Sequence, residues 1–438
     1  MGRKIGRLVI AAALLALVGF VFFVFLSWRR AIAPIERPDP AVFSPEFIAE
    51  GEALAAEGHC ASCHTGPGGE PFAGGYGVNT PFGVVYGSDI TPDPKTGIGS
   101  WSLTAFERAM HEGVSRDGSH LFPAFPYNAY TELSDQDVKS LYAYLMTRPA
   151  ISGIVPKNTV WFPLNVRLLQ GGWKLLFFKS ERYRPDPSKS PEWNRGAYLA
   201  EAVSDCGGCH TPRNALGGLK IRAAYSGTVV DNWITPPLTE KNPSPIPWSR
   251  EELVRYLRTG VTPLHGAIAA TMTPNVRDAL ALPVVPDSDL RAIAAYFSDI
   301  NHVSTHDSDI QATVKDALAA SGLGSGLDYD PDAQLYAGAC LSCHYNSTAG
   351  PLAARPELAL NTALTLPEPT NFIQVVLNGI SDQEGAPGLV MPAYASSFSD
   401  ADVARLAAYL RRTRTKLPPW TDLDKKVAAA RRQMEKSQ

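Results

Sequence analysis

The chain has 438 residues, enough for two to four domains at about 100–200 residues each. Apolar residues make up 45% and charged residues 19%, which allows packed soluble domains, and a net charge of −3 gives no basis for nucleic-acid binding. Glycine and proline, 36 of each, point to long structured loops between whatever helices form.

The first predicted element is apolar. Leu8 to Trp28 carries no charge over 21 residues, and about 20 apolar residues span a bilayer as a helix. Arg3, Lys4 and Arg7 precede it, which suits a cytoplasmic N-terminus and export of the remainder. A cleavable signal peptide is the rival reading, with Ala31–Ala33 as its cleavage site. Its apolar core is usually only about 7–15 residues, and Pro34 is awkward after a cleavage site.

Beyond this segment the chain repeats itself. All six cysteines fall in three copies of Cys-x-x-Cys-His: Cys60, Cys63, His64; Cys206, Cys209, His210; and Cys340, Cys343, His344. That motif reads as c-type haem attachment. Two thiols one helical turn apart reach the two vinyl groups of one haem, and the following imidazole sits under the iron as proximal ligand. A zinc site would pair two such motifs or add distant histidines, and neither arrangement is present. The expectation is three covalently bound haem c groups held by these six cysteines, with His64, His210 and His344 on the irons.

Each motif follows a short helical pattern (47–59, 192–205 and 331–339) and precedes a Gly/Pro-rich loop. A second helix then closes on glycine, at Gly113, Gly260 and Gly379, where a left-handed residue is needed. A final helix with an acidic start follows each time, at 133–145, 285–297 and 398–410. Gly260 to Met272 is 12 residues, and so is Gly379 to Met391. Met272 and Met391 are therefore the expected distal ligands, against the ordinary reading of a methionine as core packing. Pro392 would stiffen the loop at Met391. The same count from Gly113 reaches Phe125, which cannot ligate iron. For the first haem His120, Met110, His111, Met146 and an open or water-bound iron all stay in play.

These residues resemble a known family, the three-haem cytochrome c subunits of bacterial membrane-bound dehydrogenases acting on alcohols, gluconate, fructose or aldehydes. The likeness runs from about Ser44 to Leu417, and Tyr76–Ser102 and Pro191–Gly218 look like the signatures of its first and second domains. Phe125 in "FPAFPY" looks more like the cytochromes that partner molybdenum hydroxylases, such as aldehyde, nicotinate and isoquinoline dehydrogenases. The third repeat departs from the second, with 51 residues from Cys340 to Met391 against 66 from Cys206 to Met272. The resemblance implies a separate catalytic subunit with molybdopterin and iron–sulfur clusters as electron donor, and ubiquinone as acceptor.

The expected fold is all-α: three tandem cytochrome c domains (44–150, 191–305, 329–416) behind one N-terminal transmembrane helix (1–30). They would sit on the periplasmic side of a bacterial inner membrane. The connector 151–190 contains Trp173–Phe178, unusually apolar and flanked by Arg167, Lys174 and Lys179. It is either packed between domains or laid on the membrane, where a quinone site is possible. Residues 306–328 are expected as a linker, with flexible "SGLGSGLDYD" at its end. Residues 417–438 are expected as a solvated charged helix. No Ser/His/Asp arrangement, paired metal carboxylates or nucleotide loop is found, which argues against a self-sufficient dehydrogenase but leaves chemistry at an open haem in play; the expectation is an electron-transfer subunit with no catalytic residues. A haem enzyme reducing peroxide at an open first haem is the competing expectation.

Overall fold

The computed structural model describes residues 2–301, 307–321, 330–346, 350–352, 355–381 and 385–437. Contacts divide the chain into two compact units: 1–185 with 201–205, and 186–200 with 206–438.

The first unit begins with α1 (Gly2–Ser27). Its 24 residues Lys4–Ser27 are long and apolar enough to cross a membrane, about 36 Å at 1.5 Å per residue. α2 (Pro45–Glu57) starts where the Ser44 hydroxyl accepts from Phe47 N–H, with Pro45 fitting the first turn. The first Cys-x-x-Cys-His motif is itself a helical turn, α3 (Cys60–His64). β1 (Gly77–Thr80) and β2 (Gly83–Tyr86) form a hairpin. α4 (Leu103–Glu112), capped by Ser102, stops at Gly113 with φ 60°. After α5 (Tyr127–Tyr130) comes α6 (Asp135–Thr147), capped by Ser134. α2 crosses α6 at Gly51, where a Cβ would collide with the Ser140 carbonyl. The connector contains α7 (Leu169–Phe177), which lies against α1.

The second unit holds the other two motifs. α8 (Pro191–Tyr198) leads to α9 (Cys206–His210). β3 (Thr228–Val230) and β4 (Trp233–Thr235) form a hairpin around Asp231 and Asn232. Both turn residues have positive φ, as a type I′ turn requires. α10 (Arg250–Thr259) ends on Gly260 at φ 73° and runs into a third hairpin, β5 (Val261–Thr262) with β6 (Gly266–Ala267). α11 (Met272–Asn275) and α12 (Asp287–Ile300) follow. α12 packs on α8 at Gly196, where a Cβ would strike the Ala292 carbonyl.

α13 (Asp307–Ser321) occupies most of the stretch expected to be a linker. Ile310, Val314 and Ala317 recur along one face and pack with Ile246, Ala359 and Leu360. Residues 322–329 of the glycine-rich segment lie outside the described residues. α14 (Pro331–Ala339), capped by Asp330, precedes α15 (Leu341–His344). α16 (Thr362–Thr365), α17 (Thr370–Asn378), α18 (Asp400–Arg414) and α19 (Leu423–Ser437) enclose a core containing Tyr336, Leu364, Ile373 and Val403.

The chain is helix-rich, as expected, and three short two-stranded hairpins also lie among the described residues. Their turns are built from local glycine, Asp and Asn chemistry, not from long alternating strands. The tail, expected to be solvated, packs one of its faces on the protein and leaves the other exposed. Val427 of α19 is fully buried, and Leu423, Ala430 and Met434 pack on the same core.

Candidate functional site

Each motif histidine is aimed by a carbonyl from the loop after it. His64 Nδ1 donates to Ser88 O at 2.6 Å, His210 Nδ1 to Pro236 O at 2.8 Å, and His344 Nδ1 to Pro356 O at 3.2 Å. A carbonyl can only accept, so each ring carries its proton on Nδ1 and leaves Nε2 as the atom for a metal. Burial holds all three imidazoles below their ordinary value, with the carbonyl bond opposing. A neutral ring is the form that ligates iron.

The loops press closely on the motifs. Gly74 N–H donates to His64 O at 2.7 Å, and Gly227 N–H to His210 O at 2.8 Å. Both glycines have φ of 80°. Thr235 Oγ1 donates to Cys209 O at 2.7 Å. Gly87 lies against the Cys63 carbonyl with no room for a Cβ. Gly87→Ala is therefore expected to push the Ser88 loop away from His64. The mass of the purified variant should then fall by one haem; an unchanged haem content would refute the cradle. Further along, Asn371 of α17 exchanges two 2.8 Å hydrogen bonds with Ile234, two residues before Pro236.

Burial pushes the Cys60 thiol up to about 12 and that of Cys340 up to about 11, and raises Cys63 as well. Catalytic Cys-x-x-Cys motifs instead lower one thiol. No cysteine is in a disulfide. Among the described residues, no three His, Cys, Asp or Glu side chains gather as zinc ligands would. Helical thiol pairs, Nδ1-anchored imidazoles and glycine cradles fit covalent haem.

On the distal side, the 12-residue count needs a structural distinction. Leu121 N–H donates to Gly113 O and Ile268 N–H to Gly260 O, both at 2.8 Å, so Phe125 and Met272 stand four residues beyond the same bond. Met391 arrives by another path. It exchanges two 2.9 Å backbone bonds with Ile380, the residue after Gly379. That bridge position is taken by His120, paired with Val114, after the first glycine and by Ala267, paired with Val261, after the second. Met272 and Met391 are both half-buried. Tyrosines tie two of these loops back to the motifs: Tyr130 Oη donates to Gly58 O at 3.3 Å, and Tyr394 Oη to Ala339 O at 2.7 Å. The Phe125 ring meets Tyr130 edge-on at 5.3 Å.

The structure removes His120 from the candidates for the first iron. His120 is buried; Nε2 donates to Ser27 O at 2.6 Å, and Nδ1 accepts from Lys174 Nζ at 3.1 Å. Both ring nitrogens are committed to α1 and α7. His111 Nδ1 is held by Arg182 at 2.5 Å. Met110 and Met146 are buried in their helices. Sequence reasoning missed the carbonyls of Ser88, Pro236 and Pro356, although the prolines in "WITPP" and "RPE" are signals of rigid loops.

Motifs and surroundings together define a c-type cytochrome. The cytochrome c family profile matches residues 48–149, and that of cytochrome c oxidase, cbb3-type, subunit III matches 328–410. The chain is 42% identical over 409 residues to one subunit of nicotinate dehydrogenase from Pseudomonas putida, covering 93% of this chain but only 34% of that protein. It is 33% identical over 408 residues to the fructose dehydrogenase cytochrome subunit of Gluconobacter japonicus, covering 88% of this chain and 83% of that one. Against the cytochrome c subunit of alcohol dehydrogenase (quinone) from Gluconobacter oxydans, identity is 32% over 382 residues, with 84% and 78% covered. The chain belongs to the cytochrome c subunits of bacterial dehydrogenase complexes, a family of electron-transfer proteins.

Proposed function

We propose that the chain carries three haems c and passes electrons from a dehydrogenase subunit to ubiquinone. Cys60 and Cys63, Cys206 and Cys209, and Cys340 and Cys343 hold the haems. His64, His210 and His344 are proximal ligands, and Met272 and Met391 distal ones. The domains are 44–150, 191–305 and 329–416. α1 anchors them on the periplasmic side of the inner membrane. The observation that carries this reading is the Nδ1–carbonyl bond found at all three motif histidines.

Bound haem supplies one-electron Fe(III)/Fe(II) cycling. The chain's own part is to tether, aim and shield. The cysteines fix each group covalently, the carbonyls of Ser88, Pro236 and Pro356 set the imidazole planes, and the methionine loops favour the reduced state. The resemblance of the "FPAFPY" loop to cytochromes that partner molybdenum hydroxylases supports a partner with molybdopterin and iron–sulfur clusters, and the name of the nicotinate dehydrogenase relative supports a heterocycle as its substrate, with an aldehyde as the other class. The name of the alcohol dehydrogenase relative supports a quinone as acceptor.

The test is co-purification with identification of the bound subunits, together with the mass of the haem-loaded chain. Three haems are expected, and two after Cys340→Ala with Cys343→Ala. A native mass with fewer than three overturns the count. A flavin or quinoprotein partner overturns the molybdenum assignment, and failure of the reduced complex to reduce a ubiquinone analogue overturns the acceptor.

A further inference from the structure

α7 is a two-faced helix held at a fixed level on α1. Its inner face is tied to the first unit. Lys174 Nζ donates to Glu112 O at 2.5 Å, Gly113 O at 2.7 Å and His120 Nδ1 at 3.1 Å, using all three ammonium protons. Its ammonium also stands 4.7 Å from the centre of the Tyr127 ring. Gln170 Nε2 donates to Leu164 O at 2.8 Å.

Two glycines fix the level. A Cβ on Gly171 would lie 2.6 Å from Ser27 Oγ, and one on Gly172 would lie 3.1 Å from the Phe23 ring. α7 therefore meets α1 along its last turn, Phe23 to Ser27, four residues or about 6 Å inside the end of the apolar segment. Its outer face and the turn before it present Trp161, Phe162, Val166, Leu169, Leu175 and Leu176 to the outside, with Phe162 76% and Leu176 70% exposed. Trp28, Arg29, Arg30 and Lys179 are exposed nearby in sequence. Aromatic and basic residues of this kind collect at membrane–water boundaries.

We propose that α7 and the Trp161–Phe162 turn are a second membrane contact, lying in the interface of the leaflet from which the C-terminal end of α1 emerges. Interfacial helices sink their apolar face about 5–10 Å below the headgroups, which matches the level set by Phe23 and Ser27. The occupant of this face is lipid and not another protein, because the helix it rests on is the span itself. The inference depends on α1 being the membrane anchor proposed above.

The test uses the full haem-loaded chain in phosphatidylcholine–phosphatidylglycerol vesicles containing a diazirine-bearing phosphatidylcholine, with cross-links mapped by mass spectrometry. Label is expected in 161–178 as well as in 8–28. Leu175→Glu with Leu176→Glu should reduce label in 161–178 to background while that in 8–28 persists. Label confined to 8–28 overturns the second contact and leaves the anchor standing. Label in neither segment overturns the anchor. The same mapping on the co-purified complex separates the rival occupant: loss of the 161–178 label there assigns this face to the partner subunit and overturns the lipid assignment.

Discussion

Phe125→Met is expected to convert the first haem to His/Met ligation and raise its potential, leaving the other two haems unchanged. The register is set by backbone, not by count alone: Phe125 and Met272 both follow by four residues an N–H···O bond to their helix-closing glycine. Phe125 also packs on Tyr130, whose hydroxyl reaches the carbonyl two residues before Cys60, so this loop closes over the first motif. A thioether stabilises ferrous iron, and axial ligands move haem potentials across a range of about 0.8 V. In the native chain the first haem should differ from the others in its ferric spin state and titrate apart from them. His120→Ala should not alter that spin state, because His120 is bonded to Ser27 and Lys174. Potentiometric titration with electron paramagnetic resonance reads both results. Three indistinguishable His/Met haems in the native chain would refute the register and require Met110 or Met146 to reach the iron.

His120 shows what sequence reading could and could not reach. Cys-x-x-Cys-His is local chemistry, and so are the serine caps at Ser44, Ser102, Ser134, Ser190, Ser249 and Ser399; all can be read from adjacent letters. His120 has a neighbour 93 residues away in Ser27, and no spacing rule links a loop histidine to the end of an apolar helix. The carbonyls that aim His64 and His210 lie 24 and 26 residues downstream, on loops without periodicity. Met391 is a subtler case. Its offset from Gly379 equals that of Met272 from Gly260, yet one methionine sits in a bridge and the other starts a short helix. Equal counts along a chain do not require equal paths.

The hairpins leave a fainter trace. Asp231-Asn232 between "TVV" and "WIT" is a two-residue turn signal, and Gly83 at φ 122° closes the first hairpin. Strands of two to four residues are too short to show an alternating pattern, so they merge with the loops around them.

In the tail, charge masks the period. Leu423, Val427, Ala430 and Met434 follow a helical stripe, and all four pack on the core around Tyr336 and Val403. Deleting residues 419–438 is therefore expected to unfold or strongly loosen the third haem site. Trp420 is lost with its Nε1 bond to Leu366 O at 3.1 Å and its contact with Arg411, 4.6 Å from the ring centre. Trp420 and Val427 are both buried. At about 1.5–3 kcal/mol for each large apolar side chain returned to water, these two alone cost about 3–6 kcal/mol, against a total of about 5–15 kcal/mol for a typical domain. The helix also steadies the loop after Met391: Arg431 donates to Ala395 O at 2.5 Å and Phe398 O at 2.8 Å, and pairs with Asp400 at 2.6 Å. The truncated chain should carry two haems by mass. Arg431→Ala, which keeps the helix, should retain three haems and shift only the potential of the third, since it frees the loop that follows Met391. A truncated chain that still holds three haems, with the third at its native potential, would show that α19 covers the core without supporting the site.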